Sequence, residues 1–310
     1  LSAIIIVPGL LSLLIPPALF LGIDFTGGTT ISVRFQSPVR DEDVRAALLR
    51  LGHSETSTQS SGNTDFFIRT RTLEEADLVA GTPSERALLL TALDELGTVV
   101  TTDFSAVSGV IARDTVRNSA FIVFVAAVAI LLYITYTFRS VPSSFRYGVA
   151  AIIALVHDLL IVVGIFSILG KVMDLEVNSM FITGLLFVIG YSVNDTIVVF
   201  DRIRENVVRA PGQALEVSIN DSILQTLGHS LNTSFTLLFT ILALLFLGGE
   251  SIRNFLLVLL IAVISGTYSS ICIASQVLVV WERGEGGRLL RRLPFFASST
   301  SFPGSLRPPP

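Results

Sequence analysis

Residues 184–206 read GLLFVIGYSVNDTIVVFDRIREN, an apolar run that meets no charged residue before Asp195. A run of this length is typical of a helix that crosses a bilayer, which needs about 20 residues. At about 1.5 Å of rise per residue, Asp195 lies roughly 9 Å inside the boundary marked by Asp201. A carboxyl at that depth costs a few kcal/mol unless it faces a partner or water. It is either a structural carboxyl between helices or a titrating group on an ion path, and we favour the second.

The neighbours of Asp195 predict what surrounds it. With about 100° between successive residues of a helix, Gly184, Tyr191, Ser192 and Asp195 share one face. Small residues on that face let another helix approach closely. The Tyr191 and Ser192 hydroxyls could hydrogen-bond the carboxyl, and we count the adjacent Asn194 among the residues of the proton pathway.

Composition indicates a protein with several membrane spans. Of 310 residues, 51% are hydrophobic and 15% are charged, and the mean hydropathy is +0.72. A net charge of −4 without basic clusters argues against nucleic acid as a partner. A lone Cys272 and three scattered histidines predict no disulfide framework, no metal site and no cofactor. Because the sequence opens at Leu1 and becomes apolar at once, we expect a piece of a longer chain.

The fold class predicted is an α-helical polytopic membrane protein with six transmembrane helices and one polar domain. Residues 1–21 form the first span, and residues 22–116 form a domain between the first and second spans. Its periodicity predicts the order βαββαβ, which is that of a ferredoxin-like α+β domain. The predicted strands are residues 29–35, 56–60, 65–70 and 98–107, and the predicted helices are residues 41–51 and 84–96, with Ser84 as the N-cap.

Residues 117–281 are predicted to form a bundle of five further spans. These are residues 119–138, 147–169, 179–200, 231–247 and 252–281. An amphipathic helix resting at the interface is expected near residues 211–228. Residues 282–310, rich in Gly, Ser and Pro, are expected to be a disordered cytoplasmic tail.

Loop charges predict the orientation. Arginines follow the second, fourth and sixth spans, whereas the opposite turns carry acidic residues as well as basic ones. The positive-inside rule then puts both termini in the cytoplasm and the domain outside.

Polar residues in two other spans are further candidates for the proton pathway. His157 and Asp158 lie in the third span, where a structural and a proton-handling Asp158 are equally supported. The fifth span carries a polar stripe that must face protein or water. His229 in that stripe is expected at the depth of Asp195, where it could form an ion pair with the carboxyl or pass a proton to it. Thr233 could hold a water molecule between the two side chains. Alternatively, the stripe serves only helix–helix hydrogen bonding. The stripe consists of Gln225, Thr226, His229, Asn232, Thr233, Thr236 and Thr240.

Four motifs resemble the SecF proteins of the SecD/SecF protein-export family, which is related to the RND transporters. They are GIDFTGGTTISVRF at residues 22–35, VSGVIARDTVRNSA at 107–120, HDLLIVVGIFSI at 157–168 and GYSVNDTIVVFDRIREN at 190–206. The resemblance runs through essentially the whole chain in order, and the first and last motifs are highly specific.

The resemblance implies a function in protein transport. Such a chain pairs with SecD, separate or fused, and assists the SecYEG channel in moving a preprotein across the bacterial inner membrane, with YajC and YidC as further partners beside the membrane lipids. The resemblance also implies that the coupling ion is the proton. The family's essential intramembrane aspartate corresponds to Asp195, and a polar position of the family's fifth span corresponds to Thr233.

One position departs from the family pattern. Where the family usually has arginine at the start of the fifth span, this chain has His229, which titrates near neutrality whereas arginine stays charged. Either His229 pairs with Asp195 in a pH-dependent way, or an arginine from elsewhere does so, or the coupling ion differs.

Two other functions remain open at this stage, an RND-type exporter of small molecules or lipids and a purely structural membrane scaffold. An enzyme is not expected, because the domain shows no nucleophile–base pair, phosphate loop or metal cluster.

Overall fold

The computed structural model describes residues 2–54, 56–61, 63–73, 84–141, 144–249 and 252–283. The tail predicted as disordered lies outside the described residues from residue 284 onward. The chain divides into two compact units. The first unit comprises Leu1–Ala126, Leu160–Phe187 and Leu244–Leu259, and the second comprises Ala127–Leu159, Val188–Ala243 and Leu260–Pro310.

The polar domain belongs to the first unit and contains one antiparallel sheet. Helix α1 (Ser2–Leu14) and the short helix α2 (Ile23–Thr26) precede it. The domain then runs through β1 (Gly28–Phe35), α3 (Asp41–Arg50), β2 (Ser57–Ser61), β3 (Asp65–Thr70), α4 (Glu85–Asp94) and β4 (Val99–Val107). The strand order across the sheet is β2-β3-β1-β4.

Alternation along the strands builds the core of the domain. In β1 the buried hydrophobic residues are Ile31, Val33 and Phe35, at every second position, as expected for a strand that covers a core with one face. The apolar stripes of both helices join them, and Phe35 meets Phe66 edge-on at 5.5 Å between ring centroids. The predicted N-cap is also present, because Ser84 Oγ accepts the amide of Ala87 at 3.2 Å.

His53 is buried in this domain. Its Nδ1 lies 3.0 Å from Thr70 Oγ1. Burial lowers the pKa of His53 below its usual value, because desolvation disfavours the imidazolium.

The lowered pKa of His53 predicts that the folded domain loses stability in acid. The unfolded chain binds the proton at a higher pH than the folded chain does, so stability falls as pH drops below about 6.5, by at most about 1.4 kcal/mol per pH unit. Protection factors of the β3 amides in the full chain, which are corrected for the intrinsic pH dependence of exchange, should fall between pH 7 and pH 5.5, and His53→Gln should remove most of that change. An equal fall in wild type and variant would show that another group carries the effect.

Within the described residues, five helical segments are long and apolar enough to cross a membrane, which makes the chain an integral membrane protein. They are α5 (Gly109–Thr137), α6 (Ser144–Met173), α7 (Ser179–Arg209), α8 (Leu215–Leu247) and α9 (Arg253–Ser269), the last continued by a π-helical turn (Ser270–Ala274) into α10 (Ser275–Glu282). In the region predicted as the first span, the helix α1 has 13 residues and contains Pro8.

The separate interfacial helix predicted near residues 211–228 is not observed. Residues from Leu215 onward belong to α8, which continues without interruption to Leu247. Gly228, predicted to end the short helix, lies inside α8, because a single glycine costs only about 1 kcal/mol in a helix interior. The hydroxyls of Ser222 and Thr226 bond back to carbonyls one turn earlier in this region, which satisfies them inside the continuous helix.

In the first unit, α1 packs on α6 at a point of very close approach. A Cβ on Gly9 would lie 2.8 Å from the Gly164 Cα, so only glycine fits there. One turn further along, Ser12 Oγ and Ser167 Oγ share a hydrogen bond of 2.8 Å. Lys171 donates to the Ser12 carbonyl and hydroxyl.

In the second unit, an aromatic cluster packs α6 and α7 together. Tyr147 stacks on Phe138 at 5.4 Å and meets Phe200 edge-on at 5.3 Å between ring centroids. Phe138 and Phe200 are fully buried. The half of α7 that follows Asp195 is therefore anchored by an aromatic side chain.

Candidate functional site

Asp195 lies in α7 with only 6% of its surface exposed. The Ser230 hydroxyl of α8 donates to its Oδ1 at 2.6 Å. Its Oδ2 has no hydrogen-bond partner among the described residues. Buried polar atoms without a partner are rare and costly, so this oxygen is unusual among the buried polar atoms of the described residues.

Beside Asp195, a hydroxyl group of α7 lies close to a hydroxyl group of the π-helical turn that follows α9. Thr196 Oγ1 donates to the Ser192 carbonyl and lies 3.0 Å from Ser270 Oγ, which is itself 2.7 Å from the Gly266 carbonyl. Ser270 begins the π-helical turn. Such turns are frequent at functional sites because they break the regular hydrogen-bond ladder of the helix.

Asp158 of α6 is a separate, fully enclosed carboxylate with 0% exposure. Ser192 and Ser269 donate to its Oδ2 at 2.6 and 2.7 Å. Ser265 donates to its Oδ1 at 2.6 Å, and His157 Nδ1 lies 3.1 Å from the same oxygen. Both oxygens are therefore satisfied by side chains of α6, α7 and α9, in contrast to Asp195.

The Asp158 cluster depends on a close approach of α7 and α9. A Cβ on Gly266 would lie 3.1 Å from the Ser192 Cβ, so glycine allows the two backbones to come together there. On the other side of this contact, Tyr191 Oη lies 3.0 Å from Ser234 Oγ, which lies 2.6 Å from Thr267 Oγ1. Serine and threonine hydroxyls thus connect three helices.

Most of the predicted polar stripe of α8 is exposed in this chain. His229, Asn232, Thr233, Thr236 and Thr240 are all exposed. The three threonine hydroxyls are satisfied within α8 by carbonyls one turn earlier, at 3.1, 2.8 and 3.0 Å. The buried face of α8 is instead a neighbouring row of small residues that includes Ser222, Thr226, Ser230 and Ser234.

The residues that the structure describes contain no group of three or more His, Cys, Asp or Glu side chains placed to hold an ion. Cys272 is exposed.

Comparison with known families decides the class of protein. Residues 89–284 match the family profile described as protein export membrane protein SecD/SecF, C-terminal, and residues 21–39 match the SecD/SecF GG motif. A protein translocase subunit SecF from Thermobaculum terrenum is 46% identical over 305 residues, which cover 97% of this chain and 96% of the relative. The chain belongs to the SecD/SecF family. Its function is therefore in protein export.

Other members of the SecD/SecF family agree. A protein translocase subunit SecF from Anaerolinea thermophila is 38% identical over 94% of this chain and 93% of its own length. The crystal structure of SecDF from Thermus thermophilus, titled a translocon-associated membrane protein, superposes with a TM-score of 0.76 at 35% identity. The match covers 91% of this chain and 37% of that longer protein.

Several predictions for this SecD/SecF chain need correction. The hydroxyls of Tyr191 and Ser192 do not bond Asp195, because they reach Ser234 and Asp158 instead. No hydrogen bond joins His229 or Thr233 to Asp195 within the described residues, since both side chains lie on the exposed face of α8. Asn194 is exposed as well.

The true partner of Asp195, Ser230, was missed from the sequence. Serine is too common in spans to stand out singly, but a signal was present. Small hydroxyl residues recur every fourth position from Ser218 to Ser234, which marks one packed helix face.

Proposed function

We propose that this chain acts as the SecF subunit of a SecDF complex, and that Asp195 carries the proton whose movement drives the export step. The observation that supports this is a buried carboxyl with one donor on Oδ1 and no partner on Oδ2 within the described chain. An ionisable group in that state is expensive in a membrane and is retained for function.

The exposed stripe of α8 supports SecD as the partner inside the membrane. A helix with His229, Asn232 and Thr236 on one side is poorly suited to lipid, because polar side chains at that depth need protein or water. Covering by SecD, separate or fused, would enclose the stripe. We propose that His229, Thr233, Asn194 and groups from SecD complete the path to Asp195.

The proposed cycle alternates the charge of Asp195. Protonation from outside weakens its attraction to polar groups of α8 and of SecD, so the helices repack, and release of the proton inward resets them. One charge crossing about 100 mV releases roughly 2.3 kcal/mol. That bias changes a two-state equilibrium by roughly fifty-fold, enough to make repeated movement directional.

The finer architecture is part of the same proposal. We infer six spans, with α1 completing the first, and a ferredoxin-like domain outside the bacterial inner membrane. Both termini lie in the cytoplasm. The domain acts on the preprotein that leaves the SecYEG channel, and YajC and YidC join the assembly.

Cysteine cross-linking tests the pairing with SecD. In a Cys272→Ser background, Thr236→Cys is expected to cross-link to a cysteine introduced in a SecD span in native vesicles, because the stripe faces that partner. Yield is measured by a gel shift that reduction reverses. Co-purification of the cross-linked pair with SecYEG would link it to export.

The matched control is Phe235→Cys, which is also exposed and lies about 100° around the same helix at nearly the same depth. It should give little cross-link to any position in SecD. Equal yields at the two positions, or a higher yield at Phe235, would contradict the stripe as the SecD contact.

A further inference from the structure

The segment at residues 20–28 joins the polar domain to the start of α7, and the proposed proton cycle makes no use of it. It lies at the beginning of the stretch that matches the GG motif. Its contacts fall into three sets, made by the backbone, by Asp24 and by Arg69. All of them lie in the first unit.

Backbone pairing forms the first set. Gly22 N donates to the Val177 carbonyl at 2.7 Å, and Val177 N donates to the Phe20 carbonyl at 2.7 Å. Leu21 and Val177 thus form a parallel bridge between the chain entering the domain and the turn that connects α6 to α7. Val177 is buried, so these bonds are shielded from water.

Asp24 supplies the second set by capping α7 from a distant part of the chain. Its Oδ2 accepts the amide of Ser179, the first residue of α7, at 2.7 Å. A carboxylate at this position satisfies an amide that has no partner within the helix and complements the positive end of the helix dipole. The domain therefore holds α7 by its first turn.

Arg69 of β3 makes the third set. Its guanidinium donates to the Leu21 carbonyl and to Thr26 Oγ1, and it lies 3.6 Å from the Glu176 carboxylate. Burial raises the pKa of Glu176 above its usual value, and the charge of Arg69 opposes that shift. Asn254 at the start of α9 donates to the Glu176 carbonyl at 3.1 Å, so a second membrane helix is tied to the same turn.

Two glycines show how closely this segment packs against its neighbours. A Cβ on Gly22 would lie 3.2 Å from the Val177 carbonyl oxygen and 3.3 Å from the Asn178 Cβ. Gly28 has a φ of +128°, and a Cβ there would lie 2.6 Å from the Thr70 carbonyl oxygen. The segment therefore packs closely at Gly22 and at Gly28.

We propose that residues 20–28, together with Arg69 and residues 176–179, form a rigid joint that passes movement of α7 directly to the polar domain. Asp195 lies roughly four and a half turns further along the same uninterrupted helix. The proposal rests on the proposed function in taking Asp195 as the driving group. It adds that the domain and the start of α7 stay together throughout the cycle.

Loosening the joint is the first test. In the complete complex with SecD and SecYEG in vesicles, Asp24→Ala/Arg69→Ala should keep proton flux within two-fold of wild type while export of a preprotein falls at least ten-fold. The matched control is Arg34→Ala/Asp65→Ala, which removes an exposed ion pair from the same sheet and should leave both quantities unchanged. Normal export in the loosened variant would overturn the joint.

Locking the joint is the second test, and it guards against misfolding. A Gly22→Cys/Asn178→Cys pair in a Cys272→Ser background has Cβ positions 3.3 Å apart, near the separation of about 3.8 Å in disulfides. Oxidation should leave export within two-fold of the reduced protein. In the loosened variant, oxidation should restore at least half of export, and reduction should abolish it again. A reversible block of export on oxidation, or no rescue, would overturn the proposal.

These results separate the two proposals. If Asp195→Asn leaves both flux and export intact, the proposed function fails whatever the joint does. If Asp195→Asn stops flux but the loosened variant still exports, only the joint fails.

Discussion

Asp195→Asn should abolish the part of export that depends on the proton motive force. The amide keeps the shape of the side chain and still accepts the Ser230 hydrogen bond, but it cannot gain and lose a charge. The driving term of roughly 2.3 kcal/mol per 100 mV disappears, so the stimulation should fall by roughly fifty-fold, to the level without SecDF. Protease protection of a translocated preprotein and proton flux, both in energised vesicles, measure this.

The control for Asp195→Asn is Asp201→Asn, the same chemical change less than two turns further along α7. Asp201 is exposed and pairs with Arg204 at 2.5 Å, an ion pair worth little on a surface. Its export should remain within about two-fold of wild type. Full motive-force stimulation in Asp195→Asn would refute the proton role, and equal losses in the two variants would assign the effect to the charge of the helix end.

The position of Asp195 inside a long apolar helix was predictable from the sequence, because the run from Phe181 to Phe200 carries no other charged residue. The five long apolar helices followed from composition and run length for the same reason. The alternation of apolar and polar residues likewise predicted strands β1 and β3, and it predicted which face of β1 covers the core. These features depend on local periodicity, which the sequence carries directly.

The partners of Asp195 and Asp158 were not predictable in the same way. Whether Ser192 faces one carboxyl or the other depends on how α7 is rotated against α6 and α9, and a rotation of one residue position is about 100°. Gly266 decides that packing, since it allows α9 to approach Ser192 closely. The continuity of α8 through Gly228 was missed because glycine weakens a helix without ending it.

Asp158→Asn should lower stability without stopping proton flux. Both oxygens of Asp158 accept hydroxyl or imidazole donors, and an amide nitrogen in place of one oxygen would face donors from Ser192 and Ser269. Those hydroxyls must turn away, and Ser269 has the Gly266 carbonyl within reach at 3.2 Å. Among the described residues, Asp158 is the acceptor found for the Ser192 hydroxyl. Lost and unmet hydrogen bonds of this kind cost about 2–3 kcal/mol. Unfolding of the purified chain in detergent measures the loss.

The comparison with Asp195→Asn separates a structural carboxylate from a proton carrier. Asp195→Asn removes no satisfied contact and should change stability by less than about 1 kcal/mol while abolishing flux. Asp158→Asn should show the opposite pattern, with flux kept wherever the protein remains folded. The reason is geometric, because a carrier needs an oxygen that is free to take a proton, and Asp158 has both oxygens engaged while Asp195 has one open. Loss of flux in a stably folded Asp158→Asn would put Asp158 on the proton path as well.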